Sequence, residues 1–224
     1  MSDTFTALVL RETDDGHIGA LEQLTDADLP GGDVTVAVDF SSLNFKDGLA
    51  LAGKNRIVRS YPMVPGIDLT GTVVASDSPN WSVGDEIIST SFMVGERYWG
   101  GYTQRQRLRS EWLVRRPDTM SARTAMAIGT AGLTAMLCVM ELETAGVRPG
   151  DGPIVVTGAA GGVGSVSVAL LAGLGYEVTA VTGRPETQDY LRGLGASAFL
   201  TRDEMSVPPR PLESETWAGA VDTV

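Results

Sequence analysis

The sequence predicts two architectures in one chain. The first half reads as all-β, a barrel or sandwich, and the second as α/β on a parallel sheet. Three observations predict this. Short β-branched runs bounded by Gly, Pro, Asp and Ser fill residues 1–120. The texture changes at Pro117 to a helical stretch. Beyond it, apolar strands alternate with helical segments, a pattern that implies parallel pairing and right-handed crossovers.

"DVTVAVDFSSL" (33–43) alternates and is rich in valine, and "DLTGTVVAS" (68–76) and "DEIISTSF" (85–92) are compact β-branched runs. "FKDGLALAG" (45–53) has room for one or two helical turns. Residues 94–117 are rich in strand formers and carry several arginines. Residues 118–146 predict a helix with Ser121 as N-cap, and "VRPGDG" then predicts a turn. The alternation follows: strand "PIVVTGA", helix Gly162–Leu174, strand "YEVTAVTG", helix "PETQDYLRGLG", strand "SAFL", and a last buried strand in "WAGAVDTV". The expected division is a β domain over 1–120, a connecting helix over 121–150 and a nucleotide-type domain over 151–224.

Bulk properties narrow the function. The net charge is −11, which argues against a nucleic-acid partner, since such binding needs a basic face. Cys138 is the only cysteine and His17 the only histidine, so neither an internal disulfide nor a Cys/His zinc site is expected. Cys138 reads as buried and inert, and His17 in "DDGHIG" as part of an exposed turn. The N-terminus turns acidic without a basic leader, which speaks against a secretory signal. The longest uncharged stretch, Thr124 to Met140, falls short of the ~20 apolar residues that span a bilayer. Its small residues suit a tightly packed core helix. No membrane partner and a cytoplasmic location are expected.

"TGAAGGVGSV" (157–166) carries the chemistry. A strand precedes it, a helix follows, and a second strand arrives on schedule. The free N–H groups and positive end of such a helix suit a phosphate. Gly161, Gly162 and Gly164 permit a tight turn and close approach, although Ala159 replaces the first glycine of G-x-G-x-x-G. Ala160 to Val163 are the expected pyrophosphate contacts. The same letters fit the short-chain dehydrogenase pattern, but no tyrosine here has Lys four residues later. The second strand ends in Thr182, Gly183 and Arg184, with no carboxylate for a ribose 2′-hydroxyl. An arginine there suits the 2′-phosphate of NADP(H).

Three stretches join up in order: "SSLNFKDGLA", "VPGIDLTGTV" and "VTGAAGGVGSV". Together with "VGERYWGGY" and "AIGTAGLTAMLCVMELE" they resemble the medium-chain dehydrogenase/reductase superfamily. Within it they look like the zinc-free, quinone oxidoreductase-like branch that contains the NADPH-dependent acryloyl-CoA reductases. The resemblance covers nearly the whole chain. It implies a GroES-like β-barrel domain followed by a Rossmann domain. Zinc alcohol dehydrogenases carry Gly-His-Glu where this sequence has Gly66, Ile67 and Asp68. Ile67 cannot ligate a metal, so hydride chemistry on an activated double bond is the activity implied.

The resemblance also implies roles. Asn44 and Phe45 line the nicotinamide pocket, and Thr130 sits near the nicotinamide ribose. Thr182, Gly183 and Arg184 read the 2′-phosphate, with Arg202 assisting. The family commonly has Tyr where Phe45 stands, and phenylalanine has no proton to give. A CoA thioester also carries phosphates. Lys54, Arg56 and Arg59 are the candidates to meet them, followed by Arg97, Arg105, Arg107 and Arg109, the last three expected on one strand face. Asp47 and Asp68 are expected to be structural.

A doubly wound dinucleotide domain has about six strands, and four are legible before Val224. The sequence therefore reads as a reductase without its C-terminal third, with apolar strand edges left unpaired. The homodimer implied for full-length relatives does not extend automatically to it. Two other readings stand beside the CoA reductase: a quinone or enone reductase on the same scaffold, and an inactive remnant.

Overall fold

The computed structural model describes residues 4–14, 16–208 and 210–224. It has two compact units, Met1–Thr130 and Ala131–Val224.

The first unit opens with an antiparallel hairpin, β1 (Phe5–Thr13) and β2 (Gly16–Leu24). Phe5, Ala7 and Val9 alternate inward, as a strand's period of two requires, and pack with Leu24, Leu29 and Val64. His17 is paired in β2 opposite Glu12 and is half-buried, which corrects the expected exposed turn. β3 (Val34–Ser41), α1 (Phe45–Leu51), β4 (Asp68–Ser76), β5 (Glu86–Thr90), β6 (Arg105–Leu108) and β7 (Val114–Arg115) follow. Five of these strands form one antiparallel sheet in the order β6-β3-β4-β5-β7. Val34, Val36, Leu69, Val73, Ile87 and Leu108 turn their side chains into its core beside Trp81 and Trp112. Bridges Ala7↔Thr103 and Leu10↔Met63 tie the hairpin to this body.

α2 (Ala122–Thr144) begins where expected: the Ser121 hydroxyl accepts the Thr124 N–H at 3.1 Å. It departs from expectation further on. The helix runs 23 residues and contains an 18-residue window with a mean hydropathy of 1.7, long and apolar enough by length and composition to cross a membrane. Its backbone breaks at Gly129 (φ 46°, ψ −158°). Nor is it packed all round. Ala135 and Val139 are buried, while Leu133, Met136, Leu137 and Met140 are exposed. Those four lie at helical spacing i, i+3, i+4 and i+7, one face of the helix. Cys138 is half-buried against the core of the second unit rather than fully enclosed.

The second unit contains β8 (Ile154–Val156), α3 (Gly162–Gly173), β9 (Val178–Val181), α4 (Gln188–Gly193), β10 (Ala198–Leu200), α5 (Arg202–Met205) and β11 (Gly219–Val221). The sheet is parallel in the order β10-β9-β8-β11. Such an order places its switch point between β8 and β11, where ligands of doubly wound sheets bind. Ile154, Val156, Val168, Leu171, Val178 and Leu191 form the core. The expected helix from Pro185 starts as a 3-10 turn, Pro185–Thr187, before α4. The last expected strand is also shorter. Only Val221 of β11 is buried, because this strand pairs with β8 alone and Val224 is left exposed.

Candidate active site

In the first unit, two carboxylates are buried without a cation. Asp68 is 0% and Asp47 1% exposed, and neither makes an ion pair among the described residues. Burying a carboxylate is costly unless donors surround it, and here they do. Asp68 Oδ2 accepts from Ser42 Oγ (2.5 Å), the Thr130 N–H (2.9 Å) and Asn44 Nδ2 (3.3 Å). Its Oδ1 accepts from the hydroxyls of Thr130 (2.5 Å) and Thr90. Thr90 Oγ1 lies 2.6 Å from Thr130 Oγ1. Each hydroxyl carries one proton, so with Asp68 ionised only two of these three hydroxyl contacts are hydrogen bonds at once.

Asp47 holds the start of α1. Its Oδ2 accepts the Asn44 N–H at 3.0 Å and its Oδ1 the Ile67 N–H at 3.0 Å. Burial pushes the Asp47 carboxyl up, and the donors from Asn44, Ile67 and Tyr102 pull the other way. Tyr102 donates to the Ser42 carbonyl at 3.2 Å. Its phenol is held well above the ordinary range, by burial first and then by the charges of Asp47 and Asp68. Groups shifted by burial, as Asp47 and Tyr102 are, mark a candidate functional site.

The expected residues Asn44 and Thr130 thus meet on one carboxylate. Asn44 caps α1, and Nδ2 also reaches Ser42 Oγ at 2.7 Å. Phe45 follows and is 84% exposed, and Leu43 on the other side of Asn44 is 83% exposed. Asp47 and Asp68, expected to be structural, accept hydrogen bonds from Asn44, and Asp68 also from Thr130. Ser42, Thr90 and Tyr102 were missed. Thr90 stands directly opposite Asp68 in the β4–β5 register, a pairing invisible until the strands are aligned.

Gly129 explains how Thr130 gets there. A Cβ on Gly129 would lie 2.7 Å from Asp68 Oδ2, and its φ is positive. Gly129→Ala is therefore expected to destabilise the protein by about 1–3 kcal/mol. A thermal melt checks this, and an unchanged Tm would contradict it.

In the second unit, Gly161 is the N-cap of α3 and no acidic side chain stands in its first turn. The N–H groups of Gly162, Val163 and Gly164 open the helix without intrahelical partners. Gly164 sets the tightness of the loop: a Cβ there would meet Gly158 O at 2.4 Å and Ala159 Cα at 2.7 Å. Ala159 is fully buried, while Ala160, Gly161, Gly162 and Val163 reach the surface. The Thr157 hydroxyl donates to Asp222 Oδ1 at 2.5 Å and accepts the Thr223 N–H at 2.9 Å, which joins the ends of β8 and β11. At the tip of β9, Thr182 is buried, and Gly183 and Arg184 are exposed. Arg202, on α5 beyond β10, packs its guanidinium over Gly183, with Nε 3.1 Å from where a Cβ would stand. Among the described residues neither Arg184 nor Arg202 makes an ion pair.

The basic candidates of the first unit separate. Lys54, Arg56, Arg59 and Arg97 are exposed and make no ion pair among the described residues. Arg105 and Arg107 share a face of β6 and are engaged there: Arg105 pairs with Asp26 at 2.8 Å, and Arg107 Nε donates to Thr35 Oγ1 at 3.2 Å. Arg109 lies past the end of β6, so it does not share that face. Its guanidinium instead sits 5.4 Å from the Tyr98 ring and 5.0 Å from the Trp112 ring.

An antiparallel β unit is thus followed by a parallel, dinucleotide-type sheet, and each unit carries its own polar site. Comparisons make this specific. Residues 30–118 match the alcohol dehydrogenase GroES-like domain. The probable acrylyl-CoA reductase AcuI of Escherichia coli (strain K12) is 55% identical over 97% of this chain and 67% of its own length. Acrylyl-CoA reductase AcuI of Ruegeria pomeroyi is 54% identical over 98% of this chain and 68% of its own length. The crystal structure of the yhdH oxidoreductase from Salmonella enterica in complex with NADP superposes with a TM-score of 0.94 at 54% identity, over 98% of this chain and 67% of that one. The chain belongs to the medium-chain dehydrogenase/reductase superfamily, in the quinone oxidoreductase-like branch that holds these reductases. It spans about two thirds of the length of the relatives that it matches.

Proposed function

We propose that this chain uses NADPH to reduce the C=C bond of acryloyl-CoA, yielding propanoyl-CoA and NADP+. The observation that carries the proposal is identity of 54–55% to acrylyl-CoA reductases over 97–98% of the chain. The second unit's residues fit the cofactor. Ala160 to Gly164 offer a phosphate cradle with helix N–H groups and no acidic residue in the first turn. Thr182, Gly183, Arg184 and Arg202 receive the 2′-phosphate. In the first unit, Asn44, Phe45 and Thr130 line the nicotinamide end, held in place by Asp68.

When bound there, NADPH would supply the hydride for the β-carbon of the thioester, and the α-carbon would take a proton. The Phe45 ring offers an apolar surface and no O–H, so it is not the source of that proton. Ile67 stands where zinc enzymes carry a histidine, in keeping with chemistry on a carbon–carbon double bond rather than an alcohol. The cytoplasm, where NADPH and CoA thioesters occur together, is the compartment this reading requires.

Loss of NADPH absorbance in the presence of acryloyl-CoA tests the reading, with a quinone acceptor run beside it. Turnover is expected with acryloyl-CoA and little with the quinone. The reverse preference would make the chain a quinone reductase, and turnover with neither would refute the proposal. The arginine assignment has its own test. Arg184→Ala with Arg202→Ala is expected to weaken NADPH binding roughly 10–100-fold by removing charge-assisted hydrogen bonds. Binding of NADH, which lacks the 2′-phosphate, should stay unchanged. Equal loss for both nucleotides would show that these arginines do not read that phosphate.

A further inference from the structure

The segment between α1 and β4 concentrates charge. Lys54, Arg56 and Arg59 lie within six residues of a chain whose net charge is −11. All three are exposed, and none is neutralised by an ion pair among the described residues. The neighbouring acid, Glu96, is already taken by Lys46 at 2.9 Å. The backbone here is held uphill: Asn55 (φ 56°) and Arg56 (φ 48°) are consecutive non-glycine residues in the left-handed region. At its start Gly53 N–H reaches the Ala50 carbonyl at 3.2 Å and Lys54 N–H the Leu49 carbonyl at 2.9 Å; further along, Ile57 N–H reaches the Lys54 carbonyl at 3.5 Å and Arg59 N–H the Glu96 carbonyl at 3.0 Å.

What closes this segment at its base is the only histidine of the chain. His17 Nε2 lies 2.9 Å from the Leu51 carbonyl, so that nitrogen carries the proton and donates. The imidazole packs against Gly53, so closely that a Cβ there would be 2.6 Å from the ring. On its other side the ring stacks on Tyr61, centroids 5.7 Å apart and planes 20° apart. One side chain on β2 thereby touches both ends of the basic segment. Beyond Tyr61, Met63 is fixed by a reciprocal backbone pair with Leu10 at 2.7 and 2.9 Å.

We infer that His17 is a positioning residue for substrate binding: it clamps residues 51–61 so that Lys54, Arg56 and Arg59 present one site to the phosphates of CoA. The inference rests on the CoA-thioester reading above. A strongly acidic protein repels a polyanionic substrate, so a local cationic site has to be pre-formed to hold it. Lysine and arginine lose much rotamer freedom on binding, and a fixed backbone beneath them lowers that loss.

The test measures binding, in the presence of saturating NADP+ so that CoA cannot occupy the nucleotide site. Dissociation constants for CoA, dephospho-CoA and NADP+ are taken for the wild type, His17→Ala, His17→Gln and the triple variant K54A/R56A/R59A. Wild type is expected to prefer CoA over dephospho-CoA. His17→Ala is expected to weaken CoA binding about five- to tenfold and erase that preference, with NADP+ affinity unchanged. His17→Gln, which retains an N–H donor for Leu51, is expected to recover most of the loss. The triple variant should weaken CoA by about tenfold or more. Loss in the triple variant with none in His17→Ala would overturn the clamp and leave the phosphate site standing. No loss in either, or no CoA binding by wild type, would overturn the phosphate site and the clamp with it. A fall in NADP+ affinity in His17→Ala would show a general structural role and overturn the inference too.

Discussion

Gly164→Val is expected to abolish nucleotide binding and to lower the melting temperature sharply. A single Cβ at this position would already lie 2.4 Å from Gly158 O and 2.7 Å from Ala159 Cα. Both are backbone atoms, so no side chain can swing aside. Either α3 moves off β8 or the loop opens, and each removes the N–H groups from the phosphate. Overpacking of this kind costs about 1–3 kcal/mol for modest insertions, and a branched side chain against backbone belongs at the upper end. For a protein of this size that is roughly 2–4 °C per kcal/mol. The NADPH dissociation constant should rise by at least about tenfold. Gly173 near the end of the same helix is the control, because a Cβ there meets nothing within 4 Å. Gly173→Ala should leave binding unchanged and stabilise by about 0.5–1 kcal/mol, since alanine restricts the unfolded chain more than glycine. If Gly164→Val bound NADPH like the wild type, the proposed cradle would be in the wrong place.

Asp68→Ala is expected to produce the largest loss in the first unit. Two effects oppose each other. Removing a buried carboxylate relieves its desolvation. It also takes the carboxylate acceptor away from the Thr130 N–H and from the hydroxyls of Ser42, Thr90 and Thr130, while the Asn44 amide keeps Ser42 Oγ and Asp47 Oδ2. A buried donor that loses its acceptor costs about 1–3 kcal/mol. The hydroxyls can turn to one another, whereas the Thr130 N–H cannot, so a net loss of roughly 1–3 kcal/mol is expected. Asp68→Asn should be milder. Its remaining oxygen can stay at the Oδ2 place, facing the N–H donors. Its amide then faces Thr90 and Thr130, whose hydroxyls can rotate to accept. A loss of about 1 kcal/mol is expected there. Catalysis should follow the same order, because displacement by an ångström can cost about 10²-fold in rate. Equal Tm for Asp68→Ala and wild type would show that the network does not hold Asn44 and Thr130.

Much of this was legible in the sequence because it is local. The glycine loop, the strand before it and the helix after it lie in one continuous stretch, and their spacing is a backbone requirement. Phe45 and Asn44 are adjacent, so a motif could find them. The Asp68 network was not legible in the same way. Thr90 reaches Asp68 only through strand register, and Thr130 only because Gly129 breaks a helix that looks continuous by composition. The first hairpin gave a weak signal for a related reason. β2 is exposed along most of its length, so it lacks the apolar alternation that marks a half-buried strand. His17 was misread as a turn residue because its partners, Leu51 and Tyr61, are 34 and 44 residues away along the chain. The outer face of α2 was misjudged because small residues suggest dense packing, yet its leucines and methionines point outward.

The measurement that tests the central claim most directly traces the transferred hydrogen. NADPH deuterated at the reactive nicotinamide carbon is turned over with acryloyl-CoA by this chain, and the thioester product is examined by NMR. The account predicts propanoyl-CoA with deuterium at the β-carbon, a solvent-derived hydrogen at the α-carbon, and one NADPH consumed per thioester. Deuterium absent from the thioester, or found at the α-carbon, would contradict it.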